Sequence, residues 1–296
     1  MTLAFITTIR HPQNASNYAQ VEALLRDTVA SMTRQTCDDY LVVIVGNRRP
    51  NFPLPDRTHF VQVDFPAPSE KRTAQTGLGP SIWDKGTKVC TGLIAARDLG
   101  ADYVMLVDAD DFVHRDLAAH VRDHPGRPGW VLRRGWTYSR SRNAYALRRR
   151  LFRVCGTSFI IPLDAFGVPS DLGVDASQHV LADAFGEYLE DILGNHRYAL
   201  EWWRARGREL DPLPFAGAVY HVDTGENHSG GGLLGPGLPY RDHLARDFGI
   251  RSSKGRAATL WSALGPRALK PDLRPRRPFF MRAPADLTKE FRPPAA

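Results

Sequence analysis

The sequence contains little cysteine and no long hydrophobic run, and both absences exclude classes of protein. Its 296 residues include three cysteines, Cys37, Cys90 and Cys155, which lie far apart and in no C-x-x-C arrangement. A disulfide framework or a structural zinc site is therefore disfavoured, and we interpret the three as small buried side chains. No apolar run approaches the roughly 18 residues that a transmembrane helix needs. The first ten residues lack the pattern of a signal peptide, so we expect a cytoplasmic protein.

Acidic residues are scarce in the last part of the chain. Residues 251–296 contain eleven Lys and Arg, three acidic residues and seven prolines, whereas the whole chain has a net charge of +7. Because a nucleic-acid-binding domain carries its basic patch on the folded body, this distribution argues against a nucleic-acid partner. A basic tail can dock on anionic lipid, which adds an expectation of peripheral contact with the inner face of a membrane. The alternative is a solubilising extension that wraps the body.

The body of the chain has the alternating pattern of a parallel α/β sheet. The composition, 43% hydrophobic and 24% charged, is that of a globular protein. The apolar runs predict four strands with a helix after the first and another after the third. The strands are Leu3–Ile9, Tyr40–Val45, His59–Val63 and Tyr103–Val107, and the helices are Asn17–Arg34, which begins with a capping box of Asn17 and Gln20, and Trp83–Leu99.

The second half of the chain predicts shorter elements. Strands are expected at Trp130–Leu132, Tyr145–Leu147, Cys155–Pro162 and Phe215–His221, and helices at Ala176–Leu193 and Arg197–Arg206. We expect residues 1–250 to form one domain with two halves, residues 1–112 and residues 113–250. Residues 251–296 would form a basic, Pro-rich C-terminal extension.

Polar residues follow the ends of the four predicted strands in the first half. Since parallel strands with right-handed crossovers end at one edge of the sheet, and ligands of open α/β sheets bind there, these residues are candidates for ligand binding. They are Arg10, His11, Asn47, Asp64 and the run Asp108–Asp111.

The run Asp108-Ala109-Asp110-Asp111, directly after a buried strand, is the strongest chemical signal. Three carboxylates at a strand end repel one another unless a cation lies among them. Carboxylate oxygens together with substrate phosphates suit Mg²⁺ or Mn²⁺, and such an ion helps a diphosphate to leave. The alternative is a solvated turn, or a cap for a helix near residues 114–121.

A strand followed by Asp-x-Asp, in the fourth strand of an N-terminal α/β half, resembles the GT-A-fold glycosyltransferases, particularly the family 2-like group. The resemblance covers roughly residues 1–235, and it implies that residues 1–112 form a nucleotide-sugar-binding half and residues 113–250 an acceptor half. It implies a GT-A (nucleotide-diphospho-sugar transferase) fold, with a mostly parallel central sheet flanked by helices. It also implies a hexosyltransferase-like enzyme that uses Mn²⁺ or Mg²⁺, a nucleoside-diphosphate sugar donor and a hydroxyl acceptor, which is a glycan, a lipid-linked molecule or a small molecule.

The resemblance also implies roles for single residues. Asp108 would contact the sugar or ribose side of the donor, and Asp110 would be the main metal ligand. One departure concerns Asn47, because the family often has an acidic residue there that contacts the base or ribose. Lys85 and Lys88 lie where basic residues of the family often face the donor, and a helix N-terminus with two lysines attracts phosphate. Exposed lysines without a ligand are the alternative.

Two residues are candidates for the base that takes the proton of the acceptor hydroxyl. Glu190-Asp191 resembles the acidic pair that the family often places in this region, which favours Asp191; a charged helix face is the alternative. His196 is the rival, because an imidazole can also accept a proton.

Two histidines are candidates for a further metal ligand. Several GT-A enzymes supply such a ligand from a loop near the C-terminus, and here His228, in Glu-Asn-His-Ser, is the first choice and His221 the second. Neutral imidazole can bind Mn²⁺, although carboxylate is preferred. The glycines at residues 230–237 would let this loop close over the donor.

Other functions stay open. A sugar-nucleotide nucleotidyltransferase uses a similar sheet and ion, but usually has a Gly-rich loop after the first strand, where this chain has Arg-His-Pro-Gln-Asn. A non-catalytic module with the same sheet, docking through its basic tail, is the alternative from another class. Loss of metal binding would favour it.

Overall fold

The computed structural model describes residues 1–70, 78–226, 232–233, 235–252 and 254–265. The strands, in chain order, are β1 (Leu3–Thr8), β2 (Tyr40–Gly46), β3 (Thr58–Gln62), β4 (Tyr103–Asp108), β5 (Phe112–Val113), β6 (Trp130–Val131), β7 (Gly135–Ser139), β8 (Ala144–Arg148), β9 (Phe159–Pro162), β10 (Asp211–Pro212), β11 (Ala218–Val222) and β12 (Leu238–Pro239). The helices are α1 (Tyr18–Met32), α2 (Leu78–Asp98), α3 (Leu117–Asp123), α4 (Gln178–Phe185), α5 (Ala199–Ala205), α6 (His243–Phe248) and α7 (Arg256–Leu264).

The larger sheet has seven strands in the order β10-β6-β9-β4-β1-β2-β3. Strands β3, β2, β1 and β4 run parallel, and β9 is antiparallel to both β4 and β6. In register, Thr8 at the end of β1 lies opposite Asp108 at the end of β4. This sheet confirms the expected α/β class, a mostly parallel central sheet flanked by helices.

Side chains of the central strands alternate between two hydrophobic layers, as the period of a strand requires. In β1, Ala4 and Ile6 face the layer that contains α2, whereas Leu3 and Phe5 face the layer that contains α1. Helix α2 packs closely on β1, because a methyl group at Gly92 would collide with Ile6. The position of α2 is therefore fixed against the strand that ends beside Asp108.

A second sheet of five strands, in the order β12-β8-β7-β11-β5, covers the second half of the chain. Strand β7 was not expected from the sequence, and it pairs in parallel with β11. Strand β5 pairs antiparallel with β11 directly after the Asp108–Asp111 run. The second sheet thereby brings the segment after β11 to the end of β4.

Most predicted elements of the first half are confirmed to within two residues. Asn17 caps α1, and its side-chain oxygen accepts a hydrogen bond from the Gln20 backbone N–H at 3.2 Å. The start of α2 is different: the helix begins at Leu78 instead of Trp83. Lys85 and Lys88 therefore lie in later turns of α2, and the expectation that they open the helix was wrong.

Two expectations for the second half were also wrong. The helix expected over Ala176–Leu193 is divided, because α4 ends at Gly186, whose φ of 54° favours glycine, and a π-helical turn follows at Leu189–Leu193. The strand expected over Cys155–Pro162 begins only at Phe159. The residues that precede Phe159 are not in the sheet; they form hydrogen bonds with the Asp108–Asp111 run instead.

Part of the expected C-terminal extension packs on the body. In α7, Ala263 is buried against Ala144, Val222 and Leu233. Residues 266–296 lie outside the described residues. Within the described part of the chain, no helix combines the length and the apolar character needed to cross a bilayer.

Candidate active site

The candidate site lies at the edge of the central sheet where β1, β2 and β4 end. Because these strands are parallel neighbours, their ends bring Arg10, Asn47 and Asp108 to the same edge. The segment after β11 and the segment before β9 reach this edge from the second half of the chain. The edge therefore collects residues that are up to 216 positions apart, as the contact between Arg10 and Glu226 shows.

Asp108 forms an ion pair with Lys85 of α2, with 2.5 Å between Nζ and Oδ1. Its backbone N–H donates to Thr157 Oγ1 at 3.0 Å. Burial alone would raise the pKa of Asp108, but the charge of Lys85 lowers the pKa below its usual value. About a quarter of the Asp108 side chain is exposed, so it is an ionised carboxylate that a ligand can reach.

Gly156 makes room for Asp108 and His196 to approach each other. A Cβ at this position would lie 2.9 Å from Asp108 Oδ2 and 3.2 Å from His196 Nδ1. Glycine is the only residue that leaves this space open. Asp108 and His196 thus share one small space, although they are far apart in sequence.

Asp110 is a half-buried carboxylate, and its pKa is strongly perturbed. Burial and the nearby charge of Asp108 raise the pKa of Asp110 to about 7, although Arg10 and Lys85 act in the opposite direction. The hydroxyl of Thr224, after β11, lies 3.4 Å from Asp110 Oδ2. A cation bound beside Asp108 and Asp110 would relieve the repulsion between their carboxylates.

Asp111 is fully buried and holds the site together. Its carboxylate accepts hydrogen bonds from Thr157 Oγ1 at 2.7 Å, Cys155 Sγ at 3.1 Å and the His221 backbone N–H at 3.0 Å. Burial and the two neighbouring carboxylates raise the pKa of Asp111 well above its usual value. These contacts join β4 to β11 and to the segment before β9, so Asp111 positions its neighbours.

His221 lies beside the carboxylates but is buried. Its Nδ1 donates to the Asp110 carbonyl oxygen at 3.2 Å, and its ring packs against Phe112 and Tyr138. Burial lowers the pKa of His221 to about 4, so the ring is neutral. His228, the preferred histidine, lies outside the described residues. Among the described residues, no group of three or more His, Cys, Asp or Glu is arranged to hold a metal ion.

Of the two candidate bases, His196 lies at the site. It lines a cavity of about 20 Å³ together with Lys85, Asp108 and Gly156. Burial is the main reason why the pKa of His196 is lowered to about 4. Asp191 is exposed on the π-helical turn, whereas its neighbours Ile192 and Leu193 line the cavity.

The charge of Asp191 acts on Arg206. Burial lowers the pKa of Arg206, and Asp191 offsets part of this effect together with Tyr188. Arg206 in turn lies over the Trp202 ring, with 3.4 Å between Cζ and the ring centroid. The charge of Asp191 thus acts on Arg206 and not on the residues that line the cavity. The role of Asp191 as the base stays a prediction.

Arg10 connects the end of β1 to the segment after β11. Its guanidinium donates to the Glu226 carbonyl oxygen at 2.6 Å and forms an ion pair with the Glu226 carboxylate at 3.3 Å. Glu226 also accepts from the backbone N–H of Asn17 at 2.8 Å. His11 accepts a hydrogen bond from the Gln13 backbone N–H at 3.1 Å and begins a short 3-10 turn.

Lys88 is buried beneath the edge of the sheet. Its ammonium group, with no exposed side-chain surface, donates to Asp84 at 2.8 Å and to the Ile9 carbonyl oxygen at 3.0 Å. Burial lowers the pKa of Lys88, and the Asp84 carboxylate offsets part of this effect. Lys88 thus anchors α2 to the end of β1, in contrast with Lys85, which is one-third exposed.

Asn47 and Asp64 lie at the ends of the next two strands. Asn47 donates from Nδ2 to the Phe65 carbonyl oxygen at 2.7 Å and so fixes the chain after β3. Asp64 is exposed. Their roles in binding a donor stay predictions.

Sequence reasoning missed the parts played by Thr224, Glu226 and Asp84. Each of them acts through a partner that only the folded chain brings near: Asp110, Arg10 and Lys88, respectively. The spacing of Asp84 and Lys88, four residues apart on a helix, was the one local signal available.

Comparisons with known proteins give structural neighbours only. No family model matches the sequence, and no curated protein matches it. The crystal structure of S. aureus TarS is similar over 75% of this chain, with 11% identity and a TM-score of 0.37. A structure from Desulfovibrio desulfuricans G20, assigned as a nucleotide-diphospho-sugar transferase, is similar over 75% of this chain, with 14% identity and a TM-score of 0.36.

The two neighbours differ in how much of their own length is matched. The chain spans 37% of the TarS chain and 82% of the Desulfovibrio chain. At these identities the similarity concerns the arrangement of strands and helices, and no residue of this chain receives a role from it.

Proposed function

We propose that this protein is a metal-dependent glycosyltransferase, which moves a sugar from a nucleoside-diphosphate sugar to a hydroxyl acceptor. The observation that carries the proposal is the pair of carboxylates, Asp108 and Asp110, at the carboxyl end of β4. One is ionised beside Lys85, and burial and the other carboxylate raise the pKa of Asp110 to about 7. This combination of acidic and basic groups at a sheet edge suits a diphosphate bound together with a cation.

The residues present fit Mn²⁺ or Mg²⁺. Both ions prefer carboxylate oxygen, and Mg²⁺ commonly takes one or two protein carboxylates and completes its shell with substrate phosphates and water. Asp108 and Asp110 would hold the ion, with His221 and His228 as further candidates. A bound ion would neutralise the diphosphate and so make it a better leaving group.

The chain's own cations would bind and orient the diphosphate. Lys85 is partly exposed and lies at the cavity, and Arg10 lies near enough to Asp110 to affect its pKa. Lys88 supports this edge from below, because it holds Ile9 next to Arg10. Asn47, Asp64 and His11 would contact the nucleoside part of the donor.

In the reaction, the bond between the sugar and the diphosphate oxygen breaks, and a bond to the acceptor oxygen forms. The proton of the acceptor hydroxyl goes to a base on the protein. His196 is our first candidate, because it is neutral and lines the cavity beside Asp108. Asp191 is the second candidate, and a general base typically contributes about 10²–10⁴-fold to the rate.

Two other functions make different predictions. A sugar-nucleotide nucleotidyltransferase would use a glycine-rich loop after β1, whereas this chain forms a 3-10 turn at Pro12–Asn14 without glycine. A non-catalytic binding module would bind no nucleotide in a metal-dependent manner. A nucleotidyltransferase would therefore form different products, and a binding module would form none.

We also propose that the C-terminal region contacts a membrane surface peripherally. Leu260, Trp261 and Leu264 of α7 are 52%, 71% and 53% exposed. An exposed tryptophan beside Leu side chains and a basic segment is typical of a helix that lies at a lipid interface. Sedimentation with phosphatidylglycerol vesicles tests this: binding is expected to fall in Leu260→Ser/Trp261→Ser but not in Val180→Ser, and equal binding of both variants would contradict it.

The experiment that tests the enzymatic proposal measures donor consumption. The full chain is incubated with UDP-, GDP-, TDP- and CDP-sugars and Mn²⁺ or EDTA, and the released nucleoside diphosphate is quantified. Without an added acceptor the sugar is transferred to water, so metal-dependent release of a diphosphate from one donor, absent in Asp110→Ala, supports a glycosyltransferase that uses this donor. Release of pyrophosphate from a nucleoside triphosphate and a sugar phosphate would support a nucleotidyltransferase instead.

A further inference from the structure

A second pocket, lined by arginine, lies beside the candidate site. It has a volume of about 310 Å³. Four arginines and Glu201 line it, together with the buried residues Phe152 and Leu200. The arginines are Arg133, Arg150, Arg153 and Arg204, and all four are exposed. A concave surface with four cations and one carboxylate has a strong preference for anions.

The positive charges of this arginine pocket are only partly compensated. Arg153 pairs with Glu201, and Arg204 pairs with Glu209 at 2.8 Å. Within the described part of the chain, neither Arg133 nor Arg150 forms an ion pair. The Leu151 backbone N–H donates to the Arg133 carbonyl oxygen at 3.1 Å, which keeps the two segments together. The guanidinium groups of Arg133 and Arg150 are therefore available to bind an anion from solution.

The arginine pocket shares two chain segments with the cavity at Asp108. Arg153 lies three residues before Gly156, which contacts Asp108 and His196. Arg153 also donates to the Arg197 carbonyl oxygen at 3.2 Å, and Arg197 follows His196. Arg153 therefore lies only a few residues from Gly156 in the chain and is bonded to the residue that follows His196. A molecule bound at the cavity could extend along these segments to the arginines.

We propose that the arginine pocket binds a phosphate group carried by the acceptor substrate. Guanidinium groups bind phosphate through paired, charge-assisted hydrogen bonds, and the planar fork of arginine suits this better than lysine does. The acceptor is then a phosphate ester with a free hydroxyl, held so that the hydroxyl reaches His196 while the phosphate lies among the arginines. This inference rests on the proposed glycosyltransferase function.

The test is a calorimetric titration of the full chain with glycerol 3-phosphate, a phosphate ester with free hydroxyls. The wild type is expected to bind it more tightly than glycerol or inorganic phosphate. Arg133→Ala/Arg150→Ala is expected to bind it about tenfold or more weakly. The matched control, Arg122→Ala/Arg246→Ala, removes the same charge from exposed arginines paired with Asp123 and Asp247, and is expected to bind like the wild type.

Nucleotide binding is measured on the same three proteins, so that the two proposals fail separately. Nucleotide binding without binding of glycerol 3-phosphate would overturn the arginine pocket and leave the glycosyltransferase proposal standing. Binding of glycerol 3-phosphate without any nucleotide would overturn the enzymatic proposal and, with it, the assignment to an acceptor.

Four further results would overturn the inference. They are equal binding of inorganic phosphate, equal losses in the control variant, competition between glycerol 3-phosphate and the nucleotide, and tighter binding of a single-stranded oligonucleotide. The last result would indicate a nucleic-acid partner, with the steep salt dependence that such binding shows.

Discussion

The ammonium group of Lys85 lies 2.5 Å from the carboxylate of Asp108, where the second helix meets the end of the fourth strand. Asp108 raises the pKa of Lys85 against the effect of burial, and Lys85 keeps Asp108 ionised. The carboxylate expected to face the donor is thus held in its charged form by a cation that can itself contact a phosphate. Charge of both signs at one sheet edge is what a nucleoside diphosphate and a divalent ion require together.

Lys85→Met should weaken nucleotide binding while the fold is retained. The methionine keeps the apolar stem and removes the charge, so we expect the dissociation constant for the preferred nucleoside diphosphate to rise by about tenfold. Titration calorimetry with Mn²⁺ present measures it. Lys254→Met, which removes a half-buried lysine bonded to the Ser141 carbonyl oxygen, is the control. Equal affinity of the Lys85 and Lys254 variants would show that Lys85 does not contact the ligand.

Gly156→Ala should damage the site with little effect on stability. The added methyl group would lie 2.9 Å from Asp108 Oδ2 and 3.2 Å from His196 Nδ1, so one of these side chains must move. We expect turnover to fall by about tenfold or more, since small misplacements at a reacting centre are costly. Gly79→Ala, where a Cβ meets nothing within 4 Å, is the control. Normal turnover in the Gly156 variant would mean that the Asp108–His196 space is not used.

Asp110→Asn should stabilise the protein above pH 7 in the absence of metal. The pKa of Asp110 is raised to about 7 by burial and by Asp108, whereas an unfolded aspartate titrates near about 3.9. Between these values the folded chain holds a proton that the unfolded chain has lost, so the contribution of Asp110 to the free energy of unfolding falls as the pH rises. The asparagine avoids this cost.

Urea unfolding at pH 5 and pH 8, with EDTA, measures the effect. The gain in the free energy of unfolding caused by Asp110→Asn should be larger at pH 8 than at pH 5. The difference between the two gains should be on the order of 1 kcal/mol. Asp183→Asn, at an exposed position on α4, serves as the control. A gain that is the same at both pH values would argue against a raised pKa at Asp110.

His196→Gln and Asp191→Asn separate the two candidate bases. We expect His196→Gln to lower the turnover number by about 10²-fold or more, because His196 lines the cavity with Asp108. Asp191→Asn should stay within a few-fold of the wild type, because Asp191 acts on Arg206. Nucleotide affinity should be unchanged in both variants. The opposite ranking of turnover would return the role of base to Asp191.

The first half of the fold was predictable because its signals are local. Buried strands such as Tyr40–Gly46 are continuous apolar runs, and the Asn17 cap with Gln20 marks the start of α1. The position of Asp108 at the end of a buried strand was also visible in the sequence. These features depend on neighbours in the chain, which is why the strands, the helices between them and the ligand-binding edge of the sheet could be predicted.

The remaining features depend on contacts between distant segments. The parallel pairing of β7 with β11 joins residues about eighty positions apart and has no local signal. Lys88 was expected near a ligand, yet Asp84 and the Ile9 carbonyl oxygen satisfy it in a buried position. His196 was only a rival candidate, because nothing in the sequence shows that Gly156 opens the space between it and Asp108.

The central claim is that Asp108 and Asp110 bind a nucleoside diphosphate together with a divalent ion. Thermal unfolding of the wild type and Asp110→Ala, with UDP, GDP, TDP or CDP and either Mn²⁺ or EDTA, tests it most directly, because a ligand that binds the folded state raises the melting temperature. We predict an increase of several degrees with one nucleotide, only with Mn²⁺ and only in the wild type. No increase with any nucleotide at millimolar concentration, or the same increase in Asp110→Ala, would contradict the account.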